Sequence, residues 1–224
     1  MIIGVPKEIK IGEKRVSMTP ALCRRVTKLG ARVLIEKNAG LTAGFTDAEY
    51  KAAGATIVSS AAKVWKSADM ILKVKEPLEA EFDLMQQGQT IFTYLHLAAG
   101  PALAKQLCKK GILGIAYETV EGADGSFPLL KPMSQIAGRL SIQIGAYFLQ
   151  SQVGGSGVLL GGIPGTMPGH VVVVGAGNSG AHAVRMAAGM GARVTVLDLD
   201  TRKLEILDQE YRGKVITLVW NPAN

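Results

Sequence analysis

Aromatic side chains are scarce in this sequence, since phenylalanine, tyrosine and tryptophan together make up 5% of its 224 residues. Proteins that bind single-stranded nucleic acid by stacking its bases need a platform of aromatic rings, and none is evident here. The formal net charge of +7 comes from lysines and arginines that are scattered along the chain, often on the polar faces of predicted helices. We therefore expect a solvated basic surface that attracts anionic small molecules, and no nucleic-acid partner.

Cysteine and histidine are also rare, with two cysteines and three histidines in the chain. Cys23 and Cys108 lie far apart in predicted helices, so we expect free thiols in a reducing compartment rather than a disulfide framework. The histidines, cysteines and scattered acids show no spacing that is typical of metal ligands. The sequence therefore predicts that no metal is bound.

Long apolar runs are missing as well. No run approaches the ~18 residues that a membrane-spanning helix needs, so we expect no membrane partner. The chain starts directly with a strand-like segment and lacks the charged and apolar regions of a secretory signal. We expect a cytoplasmic protein.

The chain does contain a regular alternation of short apolar runs and helical patterns. Strands are predicted over residues 2–5, 32–35, 56–58, 70–74, 90–95 and 112–117, and helices over residues 20–29, 46–53, 61–66, 78–87 and 101–109. Strands that alternate with helices favour a parallel sheet with helices on its faces. The predicted fold class is α/β, with two successive Rossmann-like parallel-sheet domains.

A stretch rich in turn residues separates the two predicted domains. It is followed by a helical pattern over residues 133–150 and by a stretch rich in glycine and proline over residues 154–169, which suits either a surface loop or a hinge. We predict a substrate-binding and catalytic domain over residues 1–132 and a linking helix and connection over 133–169. A nucleotide-binding domain is predicted over residues 170–224.

A glycine pattern opens that last domain. A run of four valines ends in Gly175-Ala-Gly177-Asn-Ser-Gly180, and after a helical pattern a second apolar run stops at Asp198. Gly175 permits a tight turn, Gly177 leaves room for a pyrophosphate, and Gly180 lets the helix approach the strand. Glycines also occur in ordinary turns, but here the strand, the helix and the acid agree. The pattern predicts a dinucleotide site, and a carboxylate at residue 198 favours NAD because it repels a 2′-phosphate.

The remaining residues of this domain add a helix over residues 202–211 and a strand over 215–219. The sequence thus predicts a βαβαβ unit, which is one mononucleotide-binding half of a dinucleotide fold. The second domain is therefore predicted to be an incomplete dinucleotide-binding fold.

Polar residues follow several strands of the first predicted domain. Lys75, His96 and Glu118 each come directly after an apolar run, and Arg15 lies in the loop after the first strand. Ligands of open parallel sheets bind outside the carboxyl ends of the strands, so these side chains are candidates for a site. Arginine suits a carboxylate and histidine suits proton transfer. The alternatives are solvated lysine and glutamate side chains and a hydrogen-bonded, partly buried histidine.

A resemblance to a known family rests on short motifs that are spread over essentially the whole chain. They are Ile3-Gly-Val-Pro-Lys-Glu, Glu13-Lys-Arg15-Val, Leu72-Lys-Val-Lys75-Glu-Pro, Phe92-Thr-Tyr-Leu-His96-Leu-Ala-Ala, Ala116-Tyr-Glu-Thr, Pro132-Met-Ser134-Gln-Ile-Ala-Gly and Gly161-Gly-Ile-Pro-Gly. Together they resemble the alanine dehydrogenase family. The related subunit of proton-translocating transhydrogenase lacks the Tyr-Leu-His-Leu-Ala element, so His96 favours the dehydrogenase.

The resemblance implies roles for the three strand-end residues. Arg15 would grip the substrate carboxylate, Lys75 would hydrogen-bond the carboxylate or the keto oxygen, and His96 would be the acid–base group. The implied reaction converts L-alanine, NAD and water to pyruvate, ammonium and NADH. The residues implied to contact NAD, besides the glycines above, are Ser134, Asn178, Ser179, Asp198 and Lys203.

The chain departs from that family in two respects. Family members are longer, and their C-terminal part completes the nucleotide fold and supplies a catalytic aspartate, which implies a truncated alanine dehydrogenase here. Trp220 stands where the family usually has a small serine near the adenine.

Three functions stay open at this point. The weakest is an anion- or nucleic-acid-binding module. Another is an NAD-dependent dehydrogenase whose missing walls come from another subunit. The third is an NAD(H)-binding protein that keeps the site for the ADP half but has little or no turnover. An incomplete sheet leaves an open edge, so we expect a homo-oligomer, most simply a dimer.

Overall fold

In the computed structural model, which describes residues 1–221, the chain divides into two compact units, Met1–Phe127 and Pro128–Asn224. The predicted boundary lay a few residues later, after residue 132. The long helix predicted as a link between domains lies within the second unit. The last three residues of the predicted range 170–224 lie outside the described part of the chain.

The first unit is built on a parallel sheet of six strands in the order β3-β2-β1-β4-β5-β6. Its strands are β1 (Ile2–Val5), β2 (Arg32–Glu36), β3 (Thr56–Val58), β4 (Met70–Leu72), β5 (Thr90–Thr93) and β6 (Leu113–Ala116). Its helices are α1 (Pro20–Lys28), α2 (Asp47–Ala52), α3 (Ala61–Ser67), α4 (Glu79–Phe82) and α5 (Pro101–Lys109). The strand order reverses between β1 and β4, which is where sheets of this kind bind ligands. The α/β fold class is confirmed.

Two predicted strands end earlier than their apolar runs. The predicted strand over 70–74 stops at Leu72, and the one over 90–95 stops at Thr93. Two backbone bonds still join the segments beyond those points, from Lys73 N–H to the Phe92 carbonyl and from Tyr94 N–H to the Val74 carbonyl. The next N–H groups donate to side chains, as when Val74 N–H donates to the Glu8 carboxylate. The residues that follow each strand end therefore belong to the candidate site.

The helix predicted over residues 78–87 is shorter than expected, because α4 ends at Phe82. The N–H of Gln86 donates to the side chain of Gln89, whose amide in turn donates to the carbonyls of Trp65 and Ala68. A polar side chain that bonds the backbone in this way competes with the helix.

The second unit carries a parallel sheet in the order β7-β8-β9, with β7 (His170–Val174), β8 (Arg193–Asp198) and β9 (Ile216–Val219). Its helices are α6 (Lys131–Phe148), α7 (Asn178–Gly189) and α8 (Thr201–Tyr211). The predicted βαβαβ unit is confirmed. The register pairs Val174 with Leu197 and Asp198 with Val219, so the carboxyl ends of β7 and β8 lie side by side at one edge of the sheet.

The glycine- and proline-rich stretch before β7 packs on the second unit. Leu160 is buried in the hydrophobic core of that unit, and its carbonyl accepts a hydrogen bond from Gly169 N–H. Residues 154–169 suited either a surface loop or a hinge, and in the structure they form a packed surface loop. Within residues 1–221, no helix has the length and apolar character needed to cross a membrane.

Candidate functional site

The candidate catalytic residues of the first unit lie at the carboxyl ends of three adjacent strands. Lys75 follows β4, His96 follows β5, and Arg15 lies in the segment between β1 and α1. Because β1, β4 and β5 are neighbours in the sheet, the three segments share one rim. The sequence predicted this rim from strand ends alone.

Arg15 is held by a carboxylate two residues away. Its Nε donates to Glu13 Oε1 at 2.8 Å, its Nη2 donates to Oε2 at 2.6 Å, and its backbone N–H also donates to Oε1 at 2.8 Å. The hydrogen bond from Arg15, helped by the charges of Arg15 and Lys75, lowers the pKa of Glu13 to about 2. Such a forked pair orients a guanidinium for a second carboxylate.

Lys75 is positioned through its backbone. Its carbonyl accepts a hydrogen bond from Thr93 Oγ1 at 3.0 Å, and the Thr93 side chain is fully buried. The preceding N–H, of Val74, donates to Glu8 Oε1 at 2.6 Å. The end of β4 is thus tied both to β5 and to the segment after β1.

A buried lysine lies directly beneath this segment. The side chain of Lys73 is 1% exposed, and its Nζ lies 3.2 Å from Glu8 Oε2 and 2.9 Å from Glu81 Oε1. Burial raises the pKa of Glu81, although the charge of Lys73 opposes the rise. The sequence analysis missed this triad. The only signal in the sequence is a lysine flanked by apolar residues at a strand end. Burying an unpaired charge is costly, so such a lysine indicates that acidic partners lie nearby.

His96 lies in a turn whose backbone is left-handed, with φ 48° and ψ 38°. One carboxylate holds the turn, since His96 N–H donates to Glu118 Oε1 at 2.8 Å and Leu95 N–H donates to Oε2 at 3.2 Å. The imidazole stacks on the Tyr94 ring at a centroid distance of 6.2 Å, and Tyr94 meets Tyr117 edge-on at 5.0 Å. Burial raises the pKa of both tyrosines, so neither ring ionises near neutral pH.

Glu76, the residue after Lys75, is tied to the segment after β1. Burial opposes its ionisation, but the hydrogen bond from Lys10 holds the pKa of Glu76 below its usual value. A cavity of about 410 Å³ lies beside His96. Its lining residues are His96, Leu97, Ala98, Ala99, Ala116, Glu118 and Thr119.

The glycine loop of the second unit has the geometry that its pattern predicts. Gly175 has φ 98°, a conformation that favours glycine. A Cβ on Gly180 would lie 1.7 Å from the Gly175 carbonyl oxygen, so only glycine lets α7 come this close. A Cβ on Gly177 would meet no heavy atom within 4 Å. There is therefore open space beside the first turn of α7, where Asn178 and Ser179 are exposed.

Asp198 ties the end of β8 to this loop. Its Oδ2 accepts from Ala176 N–H at 2.6 Å, and its Oδ1 accepts from Asp200 N–H at 2.8 Å. These two backbone bonds, first that of Asp200, lower the pKa of Asp198. Lys203 Nζ lies 3.9 Å from Oδ1. A carboxylate has about four acceptor positions, so Asp198 retains capacity for hydroxyl donors.

A cavity of about 350 Å³ opens beside Asp198. The residues that line it are Val174, Gly175, Leu197, Asp198, Leu199 and Trp220. Apolar walls with one carboxylate at the rim suit a flat base attached to a sugar with free hydroxyls. The open space at Gly177 and this cavity together fit the ADP half of a dinucleotide.

Ser134 lies on α6, one turn before the point where α6 touches α7. At that contact a Cβ on Gly138 would lie 2.0 Å from the Ser179 carbonyl oxygen, so the two helices are in backbone contact. Residues four apart share a helix face, which puts Ser134 on the face of α6 that meets α7.

The structure thus brings the predicted residues together in two groups, one in each unit. The first group contains Arg15, Lys75 and His96, and the second contains the glycines, Asn178, Ser179, Asp198 and Lys203. Sequence reasoning missed the partners that hold the first group, among them Glu13 and Glu8. Among the described residues, no cluster of three or more histidine, cysteine or acidic side chains is placed to hold a metal ion.

Comparison with known families matches both units. The family described as "Alanine dehydrogenase/PNT, N-terminal domain" matches residues 4–137, and "Alanine dehydrogenase/PNT, C-terminal domain" matches residues 141–224. Among solved structures, an L-alanine dehydrogenase superposes with a TM-score of 0.92 at 52% identity, covering 100% of this chain and 62% of that chain. A transhydrogenase from Sinorhizobium meliloti superposes with a TM-score of 0.80 at 24% identity, covering 97% and 64%, and shows the fold alone.

Curated relatives are similar over nearly the whole chain. The alanine dehydrogenase of Methanococcus maripaludis is 56% identical over 224 residues, which is 100% of this chain and 60% of that protein. The alanine dehydrogenase of Mycobacterium tuberculosis strain H37Rv is 52% identical over 217 residues, or 97% of this chain and 58% of that protein. The chain therefore spans about 60% of the length of the curated relatives it matches.

Proposed function

The chain belongs to the alanine dehydrogenase/PNT family, and from this we propose that it acts in an NAD-dependent oxidoreductase that interconverts L-alanine and pyruvate. The proposed reaction converts L-alanine, NAD and water to pyruvate, ammonium and NADH. The observation that carries the proposal is that Arg15, Lys75 and His96 lie on one rim, at the ends of neighbouring strands. A guanidinium and an ammonium can bind the carboxylate and keto oxygens of a small 2-oxo acid, and an imidazole can transfer protons to and from it.

Each side chain of the rim has one task in this proposal. Arg15, oriented by Glu13, holds the substrate carboxylate with parallel hydrogen bonds. Lys75 donates a hydrogen bond to the keto oxygen or the carboxylate and favours the negative charge there. His96 takes up and returns the protons that move as ammonia adds to the carbonyl carbon and water leaves. A bound nicotinamide supplies the hydride chemistry.

The second unit binds the ADP half of the cofactor in this proposal. The open space at Gly177 and the first N–H groups of α7 would hold the diphosphate, together with Asn178, Ser179 and Ser134. Asp198 accepts the hydrogen bonds of the adenosine ribose, with Lys203 near its carboxylate.

We propose NAD rather than NADP because the carboxylate of Asp198 would repel a 2′-phosphate. Asp198→Asn keeps one acceptor and removes the charge, so we expect weaker NADH binding and a NADPH/NADH affinity ratio that rises about tenfold. Asp208→Asn, on the exposed side of α8, is the matched control. Calorimetric titration measures both affinities, and an unchanged ratio in Asp198→Asn would contradict the assignment.

The activity is tested by following NADH consumption with the full chain, pyruvate and ammonium at millimolar concentration. We expect turnover that falls about 100-fold or more in His96→Ala, since general acid–base groups contribute that much. Lys75→Met should lose activity too, whereas Lys105→Met on the exposed side of α5 should keep it. Absence of any rate above buffer would refute turnover by this chain.

A second candidate function is NAD(H) binding without turnover. It is favoured by the placement of Gly177, Gly180 and Asp198 within one unit that has its own core. Trp220 lines the proposed base cavity and Trp65 is fully buried, so tryptophan fluorescence reports on this cavity. Equal affinity for ADP-ribose and NADH, together with no turnover, would favour this candidate. A much tighter NADH complex would favour the dehydrogenase.

We also propose that the chain forms a homo-oligomer, most simply a dimer. Helix α6 exposes an apolar series with side chains about half exposed, namely Ile136, Leu140, Ile144, Tyr147 and Phe148. A second copy that covers this face would bury apolar area without charges. Sedimentation across a range of concentrations tests the proposal, and a monodisperse monomer at high micromolar concentration would refute it.

The free cysteine thiols favour a reducing compartment such as the cytoplasm. Cys23 is buried and Cys108 is exposed, and both are free in the structure. An exposed free thiol persists where thiols are kept reduced. We therefore place the protein in the cytoplasm as part of the proposed function.

A further inference from the structure

The backbone of His96 adopts a conformation that a histidine does not favour by itself. Its φ of 48° and ψ of 38° are left-handed, and among residues 1–221 only Asn38 and Arg212 share a positive φ without being glycine. A residue with a Cβ stays in this region only where its surroundings hold it. Since residue 96 carries the imidazole, the conformation decides where that ring points.

The group that holds the turn is the carboxylate of Glu118. Two successive N–H groups, of Leu95 and His96, converge on its two oxygens at 3.2 Å and 2.8 Å. Successive N–H groups in a turn with one left-handed residue form a concavity for an anion, and Glu118 fills it from within the chain. Hydrogen bonds to an ionised acceptor are stronger than neutral ones.

Glu118 itself is fixed by the sheet. It lies in the short turn after β6, and β6 pairs with β5 in parallel register, with Thr93 opposite Ala116. The rings of Tyr117 and Tyr94 meet edge-on between the two turns, and Tyr94 stacks on the imidazole. The turn that carries His96 is therefore clamped to the neighbouring strand end by one carboxylate and one pair of rings.

We propose that Glu118 is a positioning residue that aims the His96 imidazole for proton transfer by binding the Leu95 and His96 N–H groups. The proposal rests on the proposed function, because it assigns His96 the proton-transfer role. Glu118 acts through the backbone of His96, so its loss should slow the chemical step and leave the binding groups unchanged. Misplacement of a catalytic group by about 1 Å costs on the order of 100-fold in rate.

Glu118→Gln tests this. The glutamine amide accepts from one N–H but presents an NH₂ group to the other, so the turn loses one anchor. We expect kcat to fall about 10- to 100-fold while the KM for pyruvate and the affinity for NADH stay within about twofold. Glu121→Gln, which neutralises an exposed carboxylate in the same segment, is the matched control and should leave kcat unchanged. A rise in KM with unchanged kcat would overturn the proposal.

Two further variants separate the mechanism from a general structural role. Glu118→Asp keeps the charge but withdraws it by one methylene, so we expect the same loss, and full activity would overturn the proposal. In a His96→Ala background Glu118→Gln should cause no further loss, because the group that it aims is gone. An additional loss would mean that Glu118 contacts the substrate or acts elsewhere.

An activity-independent measurement keeps this test separate from that of the proposed function. In Glu118→Gln the amide hydrogens of Leu95 and His96 should exchange faster, while those of β5 (Thr90–Thr93) keep their protection and report an intact fold. Absence of turnover in the unmodified chain would refute the proposed function alone. Unchanged exchange at Leu95 and His96 would refute the anchor whatever the activity.

Discussion

At the scale of single residues, three glycines of one helix and its loop illustrate three different roles. An added Cβ would clash with backbone at Gly180, would point into open space at Gly177, and would also be free at Gly189 near the end of α7. The sequence shows only that each position is glycine. The structure assigns close packing to the first, open space beside the helix N-terminus to the second, and neither to the third.

Alanine substitutions at these glycines should separate stability from binding. We expect Gly180→Ala to lower the free energy of unfolding by about 1–3 kcal/mol, because backbone must move. Gly177→Ala should leave stability nearly unchanged but weaken NADH binding, because its methyl group occupies the proposed phosphate space. Gly189→Ala should stabilise by roughly 0.5–1 kcal/mol. Urea unfolding and calorimetry measure these effects, and normal NADH affinity in Gly177→Ala would contradict the phosphate assignment.

The pair of Arg15 and Glu13 gives a dependence on pH. The pKa of Glu13 is about 2 in the folded chain against 4.5 as its ordinary value. A lowered acid pKa contributes stability that is fully present above the ordinary value and is lost as the pH falls from about 4.5 to about 2.

Glu13→Gln should therefore be less stable than the unmodified chain near neutral pH, by about 1 kcal/mol for a partly exposed pair. The difference should shrink as the pH falls below about 4.5 and through about 2, and it should vanish only below that lower value. Urea unfolding at several pH values measures it. A difference that stays constant over that range would show that the charge of Glu13 is not responsible.

At the scale of elements, the end of β4 depends on a charge network beneath it. Lys73 lies between Glu8 and Glu81, and Glu8 also accepts the N–H of Val74, one residue before Lys75. The network therefore connects the segment after β1, the end of β4 and the start of α4. Helix α4 is only four residues long, so these contacts rather than its own hydrogen bonds hold it.

Removing the lysine from this network should be costly. Lys73→Met leaves two carboxylates buried without their cation, and we expect a loss of about 3–5 kcal/mol in the free energy of unfolding. Lys73→Met combined with Glu81→Leu should recover much of the loss, because one of the stranded charges is removed as well. Lys63→Met, on an exposed part of α3, is the control. A loss below 1 kcal/mol in Lys73→Met, as found for surface pairs, would contradict the buried network.

At the scale of the whole molecule, each unit has its own hydrophobic core. The second unit packs β7, β8, α7 and α8 around Val184 and Val196, and the first packs both faces of its six-stranded sheet. The residues proposed for the ADP half all belong to the second unit. In the proposed function, that half is held by residues of the second unit.

Ligands should consequently protect the units separately. ADP-ribose at about 100 times its dissociation constant should stabilise the unit that binds it by about 2.7 kcal/mol. We expect slower hydrogen exchange in β7, β8 and the first turn of α7, with little change in β1 to β6, as measured by mass spectrometry of peptides. Equal protection of both units would contradict the assignment of the ADP half to one of them.

The sequence by itself determined the order of strands and helices, the α/β class, the glycine loop with Asp198, and the strand-end positions of Lys75 and His96. It could do so because these features depend on short-range patterns: apolar periodicity, turn residues and the backbone freedom of glycine. The sequence also carried the family resemblance, in motifs whose meaning does not depend on contacts.

The tertiary structure alone decided how the candidate residues are held. The anchoring of His96 by Glu118, the burial of Lys73 between Glu8 and Glu81, and the early ends of β4 and β5 each join residues that are distant in the chain. Such contacts depend on which strands become neighbours and how far the backbone turns beyond them, and local patterns do not encode either. The glycine motif indicated where a nucleotide would bind and the strand ends indicated a shared rim, but only the packed sheet made β1, β4 and β5 neighbours.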